Sequence, residues 1–243
     1  MKTLHALILG ATGSTGQELL KLLLKDSSFS KVSIFVRKKP PIKHQKLMTH
    51  EIDFSRLNDY KSYIVGDVLF SALGTTLKDA GSKSQQYLVD FTYQYEFAKM
   101  ASDNGISYFS LVSSSGANEK SFFFYPKIKG ELEQAVKKLP FKKTQIFQPP
   151  ILIRQPELIR NGEKIAIKVF SLLNKIGILK SQKPLSVSYL AEKMINHIKS
   201  DKQIGIITYK AKEIISSNYR NIHFLDITKR HFRNLKVEFK ENI

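Results

Sequence analysis

Apolar residues in this chain alternate between short unbroken runs and longer stretches with helical spacing. The runs Leu7-Ile8-Leu9, Val32–Arg37, Leu47–Ile52, Val68–Leu73, Tyr108–Val112, Gln145–Gln148 and Ile204–Tyr209 predict buried strands. Between them, Gln17–Leu24, Gln85–Asp103, Tyr125–Val136, Glu163–Ile176 and Val187–Lys199 have the apolar spacing of helices. Ser55 is expected to cap a helical stretch reaching Tyr63, and Ser186 to cap the helix at Val187. Lys78–Ser84 is polar and reads as a loop. Strand and helix in turn predict an α/β fold: a Rossmann-type, doubly wound parallel sheet.

The first run opens directly into Gly10-Ala-Thr-Gly13-Ser-Thr-Gly16, and a leucine-rich helical segment begins on the last glycine. Glycines let the backbone bend sharply and approach a pyrophosphate, while the N–H groups and positive dipole end of the helix face the anion. Strand, glycine turn and helix in this order predict a dinucleotide site. Its cofactor contacts would come from Gly10, Thr12, Gly13, Ser14, Thr15 and Gly16.

The second strand ends in Arg37-Lys38-Lys39, with no acidic residue at its tip. In this fold that tip meets the adenosine ribose, where a carboxylate binds the 2′-hydroxyl of NAD and an arginine pairs with the 2′-phosphate of NADP. Arg37, helped by Lys38, therefore favours NADP(H) over NAD(H), although NAD(H) stays open; the alternative is a solvated basic turn. Asp53 and Phe54 fall where the adenine would lie, and Asp53 also suits an ordinary turn. The fourth strand leaves through Leu73-Gly74-Thr75, which brings backbone close to the cofactor ribose and pyrophosphate.

The fifth strand runs into Ser113-Ser114-Ser115-Gly116, and Tyr125 and Lys129 follow four residues apart on one helical face. A phenol is a poor base near neutrality, but an adjacent ammonium stabilises phenolate. Such a pair can exchange a proton with an alcohol or carbonyl while a serine hydroxyl holds the substrate oxygen. Phe122-Phe123-Phe124 is either a hydrophobic substrate wall or packing in a core or lid.

Composition narrows the class further. At 243 residues the chain suits one domain, 1–243, with a nucleotide-binding core over 1–150 and a substrate-facing region over 151–243. Without cysteine there are no disulfides, thiolate metal sites or thiol nucleophile, and no metal is expected. The short apolar run at the start does not suit a secretory signal, and no run approaches the roughly 20 residues that span a bilayer. A cytoplasmic location is the expectation. The net charge of +18 would attract phosphates, nucleic acid or anionic lipid, but lysine is spread along the chain without nucleic-acid-binding signatures. Only residues 218–243 interleave basic and aromatic positions densely enough to suggest a partner-binding or surface-seeking helix, as against a closing C-terminal element.

The glycine turn, the strand ending in Arg37, LGTT at 73–76, SSSGAN at 113–118 and YPKIKGELE at 125–133 together resemble the short-chain dehydrogenase/reductase superfamily. Within it the chain is similar to the atypical branch containing the Tat-interacting-protein-like oxidoreductases. The resemblance spans roughly residues 1–217. It implies a small-molecule substrate, with Tyr125 as acid/base, Lys129 binding the nicotinamide ribose and tuning the tyrosine, and Ser114, from its distance past the strand, orienting the substrate. Pro149, after the sixth strand, joins the implied cofactor contacts. Two motifs depart from the family: Asp90 stands where many members have an asparagine supporting a proton-relay water, and Gln148-Pro149-Pro150 replaces Arg-Pro-Gly. Some atypical members bind nucleotide without a proven reaction. The alternative to an oxidoreductase is thus an NADP(H) sensor or scaffold with a protein partner, and a homodimer fits either.

Overall fold

The computed structural model describes residues 3–154, 184–200 and 203–215. Strand β1 (Leu4–Leu9) lies inside a seven-stranded sheet, third in its order. Helix α1 (Ser14–Lys25) leads to β2 (Phe29–Val36) and β3 (Leu47–Glu51) on one side of it. After a 3₁₀ segment, Phe54–Tyr63, the chain crosses to β4 (Val68–Ser71) on the other side. Helices α2 (Leu77–Ala80), α3 (Lys83–Tyr87) and α4 (Tyr93–Asp103) precede β5 (Tyr108–Val112). Helix α5 (Phe124–Lys137) then leads to β6 (Lys143–Gln148). Beyond it, β7 (Leu152–Ile153) pairs with β8 (Leu185–Ser186), and α6 (Val187–Ser200), β9 (Gly205–Lys210) and α7 (Ala211–Ile214) follow. The large sheet has the order β3-β2-β1-β4-β5-β6-β9, and every pair in it is parallel.

Burial on both faces explains the unbroken apolar runs. In β1, Ala6 and Ile8 face a core shared with Leu19 and Leu23 of α1 and Met194 of α6, while Leu7 and Leu9 face a second core with Phe97 of α4 and Leu132 of α5. A parallel sheet covered on both sides has no polar face to alternate with. Asp26 and Lys199 close the first layer with a 2.7 Å ion pair between the ends of α1 and α6. The strand order reverses between β1 and β4, and in such sheets ligands bind in the crevice at the strands' C-terminal ends there.

Several local expectations change. Gln85–Asp103 is not one regular helix: a π-helical turn, Leu88–Thr92, separates α3 from α4 and carries the fully buried Asp90. Lys78–Ser84 holds α2 and the start of α3, since Thr76 and Ser82 each cap a short helix with a side-chain oxygen. Asp53, rather than Ser55, caps the 3₁₀ segment Phe54–Tyr63; its Oδ1 accepts from the Ser55 backbone and hydroxyl at 2.8 and 2.7 Å. Ser186 behaves as expected, accepting the Tyr189 N–H at 3.1 Å. The helix expected at Glu163–Ile176 and the basic segment 218–243 lie outside the described residues.

Candidate functional site

The glycine turn is locked by close approach. Gly10 has φ +85°, and a Cβ there would lie 2.5–2.7 Å from the backbone of Ala72 and Leu73. A Cβ on Gly16 would lie 2.0 Å from the Gly10 carbonyl oxygen. Only glycine lets α1 start against the turn and the turn against the end of β4. The cap position of α1 is Gly13, no side chain caps it, and its first turn holds no acid. Its N-terminal end is therefore suited to an external anion.

That end opens into a cavity of about 610 Å³ lined by residues 13–15, 72–76, 112–116 and 149–152, with Tyr125, Lys129, Arg154 and Val187. These come from the C-terminal ends of β1, β4, β5 and β6, from α5, and from the segments after β6. Tyr125 and Lys129, one helical turn apart on α5, both face it. Tyr125 is 40% exposed and Lys129 is 3% exposed, with the Lys129 Nζ 5.7 Å from the centre of the tyrosine ring. Lys129 forms a 2.8 Å ion pair with Asp90 Oδ1, and Asp90 Oδ2 accepts the Thr75 N–H at 3.2 Å. Burial by itself pushes the Lys129 ammonium toward losing its proton. Tyr125, Asp90 and Glu133 together outweigh that effect and hold its pKa above the ordinary lysine value.

The three serines have different partners. Ser113 Oγ donates to Glu133 Oε1, and Gln148 Nε2 donates to both Glu133 oxygens at 3.0 Å. Ser115 Oγ donates to the Gln148 carbonyl at 3.2 Å. Ser114 lines the cavity, and its buried hydroxyl oxygen has no hydrogen-bond partner among the described residues.

The structure thus brings Gly13, Ser14, Thr15, Leu73, Gly74, Thr75, Ser114, Tyr125, Lys129 and Pro149 to one cavity. Gly10 and Gly16 are buried in the turn behind it, and Thr12 is exposed, its carbonyl accepting from Gln17 Nε2 at 3.1 Å. Arg37 and Lys38 stand exposed beyond the end of β2, outside the cavity lining. Phe54, half-buried, packs on Tyr93 with ring centres 5.4 Å apart, and hydrogen bonds from Ser55 hold the Asp53 carboxyl below the usual range. Phe122 and Phe123 project into solvent, fully and 77% exposed, and neither joins the cavity lining. Sequence reasoning missed Glu133, although it follows Tyr125 and Lys129 at the next four-residue step of the same helix face. It also missed Arg154, which carries no motif.

The glycine cradle and the uncapped helix end fit a dinucleotide, which defines the class: a dinucleotide-binding protein on a short-chain dehydrogenase scaffold. Residues 10–144 match the family described as NAD(P)H-binding. Rat protein HTATIP2 is 36% identical over 177 residues, covering 71% of this chain and 73% of that protein. The mitochondrial protein FMP52-1 of Scheffersomyces stipitis is 30% identical over 225 residues, 87% of this chain and 97% of its own. Among solved structures, a short-chain dehydrogenase family protein from Francisella tularensis superposes with a TM-score of 0.61 at 16% identity, over 88% of this chain and all of the other. The Bordetella bronchiseptica enzyme WbmG in complex with NAD superposes with a TM-score of 0.63 at 14% identity, over 87% and 76%. The chain belongs to the NAD(P)H-binding family as an HTATIP2-like, atypical short-chain dehydrogenase/reductase protein.

The relatives correct the cytoplasmic expectation: FMP52 proteins from several fungi are named mitochondrial. Mitochondrial targeting follows sequence rules different from those of a secretory signal. Among the described residues no helix is long and apolar enough to cross a membrane.

Proposed function

We propose that the protein is an NADP-dependent oxidoreductase of the short-chain dehydrogenase type, acting between a carbonyl and its alcohol. The observation that carries this reading is the convergence of Tyr125, Lys129 and Ser114, whose buried hydroxyl has no partner among the described residues, on the cavity into which the uncapped end of α1 opens. The nicotinamide, when bound, supplies or accepts the hydride. Residues 13–15 would hold the pyrophosphate at α1, and Gly74, Thr75 and Pro149 would line the ribose and nicotinamide. Ser114 would donate to the substrate oxygen, and Tyr125 would pass its phenolic proton to that oxygen in the reductive direction. Lys129 would bind the nicotinamide ribose and keep positive charge beside the phenol. Under this reading the 1–150 core holds the nucleotide while residues beyond 150 shape the substrate side, consistent with Ile151, Leu152, Arg154 and Val187 in the cavity wall. The preference for NADP rests on Arg37 and Lys38 at the tip of β2. The mitochondrial setting comes from the fungal relatives.

Tyr125→Phe tests the reaction. Turnover in a screen of carbonyl substrates should disappear while NADPH affinity, read by cofactor fluorescence, stays at the wild-type value. A wild-type protein that binds NADPH yet oxidises it with no carbonyl in a broad panel would replace this reading with the sensor alternative.

A further inference from the structure

We propose that Asp90 is the positioning residue of this site: one carboxylate, carried inward on a π-helical turn, couples the Lys129 ammonium to the Thr75 backbone. The inference rests on the reading that Lys129 holds the nicotinamide ribose. Asp90 does not itself line the cavity, but Thr75, Gly74 and Lys129 all do. Its Oδ1 lies 2.8 Å from Lys129 Nζ, and its Oδ2 accepts from Thr75 N at 3.2 Å. The two oxygens therefore tie the loop after β4 to helix α5, behind the cavity wall that both elements form.

The supporting layer shows how the carboxylate is held. Gln94 Nε2 donates to the Asp90 carbonyl at 2.9 Å, and Gln94 Oε1 accepts from Ser71 Oγ at 2.8 Å, anchoring the π turn to the end of β4. π turns inside helices recur at functional sites because they redirect a side chain. Gly74 fits the remaining space, since a Cβ there would lie 3.3 Å from Asp90 Oδ1 and 3.9 Å from Lys129 Nζ. Asp90 and Lys129 are 0% and 3% exposed, so water is a poor substitute partner for either.

Both tasks require a carboxylate. An ionised Asp presents acceptors on both edges, whereas an Asn presents an acceptor on one and an N–H₂ donor on the other. An asparagine at 90 would turn its donor toward either the ammonium or the Thr75 N–H, both donors themselves. It can serve one partner only. The charged and titratable groups around Lys129 are Asp90 from the π turn and Tyr125 and Glu133 from its own helix. With Asp90 neutralised, burial works against the ammonium with less opposition.

The experiment is an NADPH titration of wild type, Asp90→Asn, Lys129→Met and the double variant across pH 6 to 10, with folding checked by circular dichroism. Asp90→Asn should weaken NADPH binding about ten-fold at neutral pH and further as pH rises, and its effect should largely vanish in the Lys129→Met background. An equal effect in both backgrounds, or a pH profile parallel to wild type, would overturn the proposal. Should Asp90→Asn not fold, the Lys129 side-chain nitrogen of the wild-type protein can be followed by NMR, assigned by its loss in Lys129→Met. It should remain an ammonium past the ordinary lysine pKa and shift on adding NADPH; titration below that value, or no shift, refutes the coupling. These readouts need no turnover, so failure of the oxidoreductase reading and failure of the Asp90 coupling are distinguishable.

Discussion

Ser113 donates its hydroxyl to Glu133, so the serine nearest the end of β5 is engaged before any substrate arrives. Gln148 donates to the same carboxylate, and the three side chains tie β5, β6 and α5 together beneath the cavity. Ser114, the next residue, lines the cavity, and its buried hydroxyl has no partner among the described residues.

Two alanine substitutions should separate these roles. Ser114→Ala should lower kcat about 10²-fold with little change in unfolding midpoint, as expected for losing a donor to a developing oxyanion. Ser113→Ala should instead destabilise by about 1.5–3 kcal/mol, as Glu133 loses a donor in a buried site. Steady-state kinetics and urea unfolding on both variants decide; the reverse pattern would move the substrate-orienting role to Ser113.

Lys129→Met should be costly even without cofactor. It leaves the Asp90 carboxylate buried and unpaired, a change of about 3–5 kcal/mol for a broken internal ion pair. Adding Asp90→Asn should recover much of the loss, because the amide carries no charge to strand. Chemical denaturation of the two variants provides the check, and a double variant no more stable than Lys129→Met would contradict the pairing.

Arg37 and Lys38 lie outside the cavity, so their influence should be confined to the nucleotide's outer end. Arg37→Ala should weaken NADPH about ten-fold or more and leave NADH nearly unchanged, the loss of one charge-assisted phosphate contact. Parallel fluorescence titrations measure both. Equal wild-type affinities for the two nucleotides would remove the role given to Arg37.

His5 offers a pH test at the opposite end of the sheet. Burial, aided by Lys31 and His50 and opposed by Asp67, pushes its pKa from 6.5 down to about 4, and its Nε2 pairs with Ser33 Oγ at 2.8 Å. The folded state thus refuses a proton that the unfolded chain accepts. Its contribution to stability is fully present above pH 6.5 and is lost as pH falls toward about 4. His50, lowered mainly by burial, adds a slope of the same sign. Urea midpoints at pH 7, 6, 5 and 4 should fall more steeply for wild type than for His5→Gln.

The sheet was legible in the sequence because burial on both faces leaves unbroken apolar runs, and the glycine turn because only glycine tolerates the backbone contacts at Gly10 and Gly16. Tyr125 and Lys129 were legible through helical spacing. The electrostatic partners were not. Asp90 reaches Lys129 across 39 positions of sequence through a π turn that no periodicity reveals, and Glu133 takes its partners, Ser113 and Gln148, from two strand ends distant in sequence. Which serine keeps a free hydroxyl depends on the Glu133 and Gln148 contacts, so the choice among three neighbours rests on geometry.

The π turn between α3 and α4 also has a genetic dimension. A π turn spends one residue more than an α turn, so a single-codon deletion within Leu88–Thr92 would let the flanking helices merge into one regular cylinder. Each residue advances an α-helix by about 100°. Because the π turn absorbs its extra residue within itself, the deletion would leave α4 near its present phase and remove the bulge that carries Asp90 inward. Chain length in this short stretch is thus constrained together with residue identity at position 90: a deletion in a regular helix would rotate everything beyond it, whereas one here keeps the phase and withdraws Asp90 from Lys129.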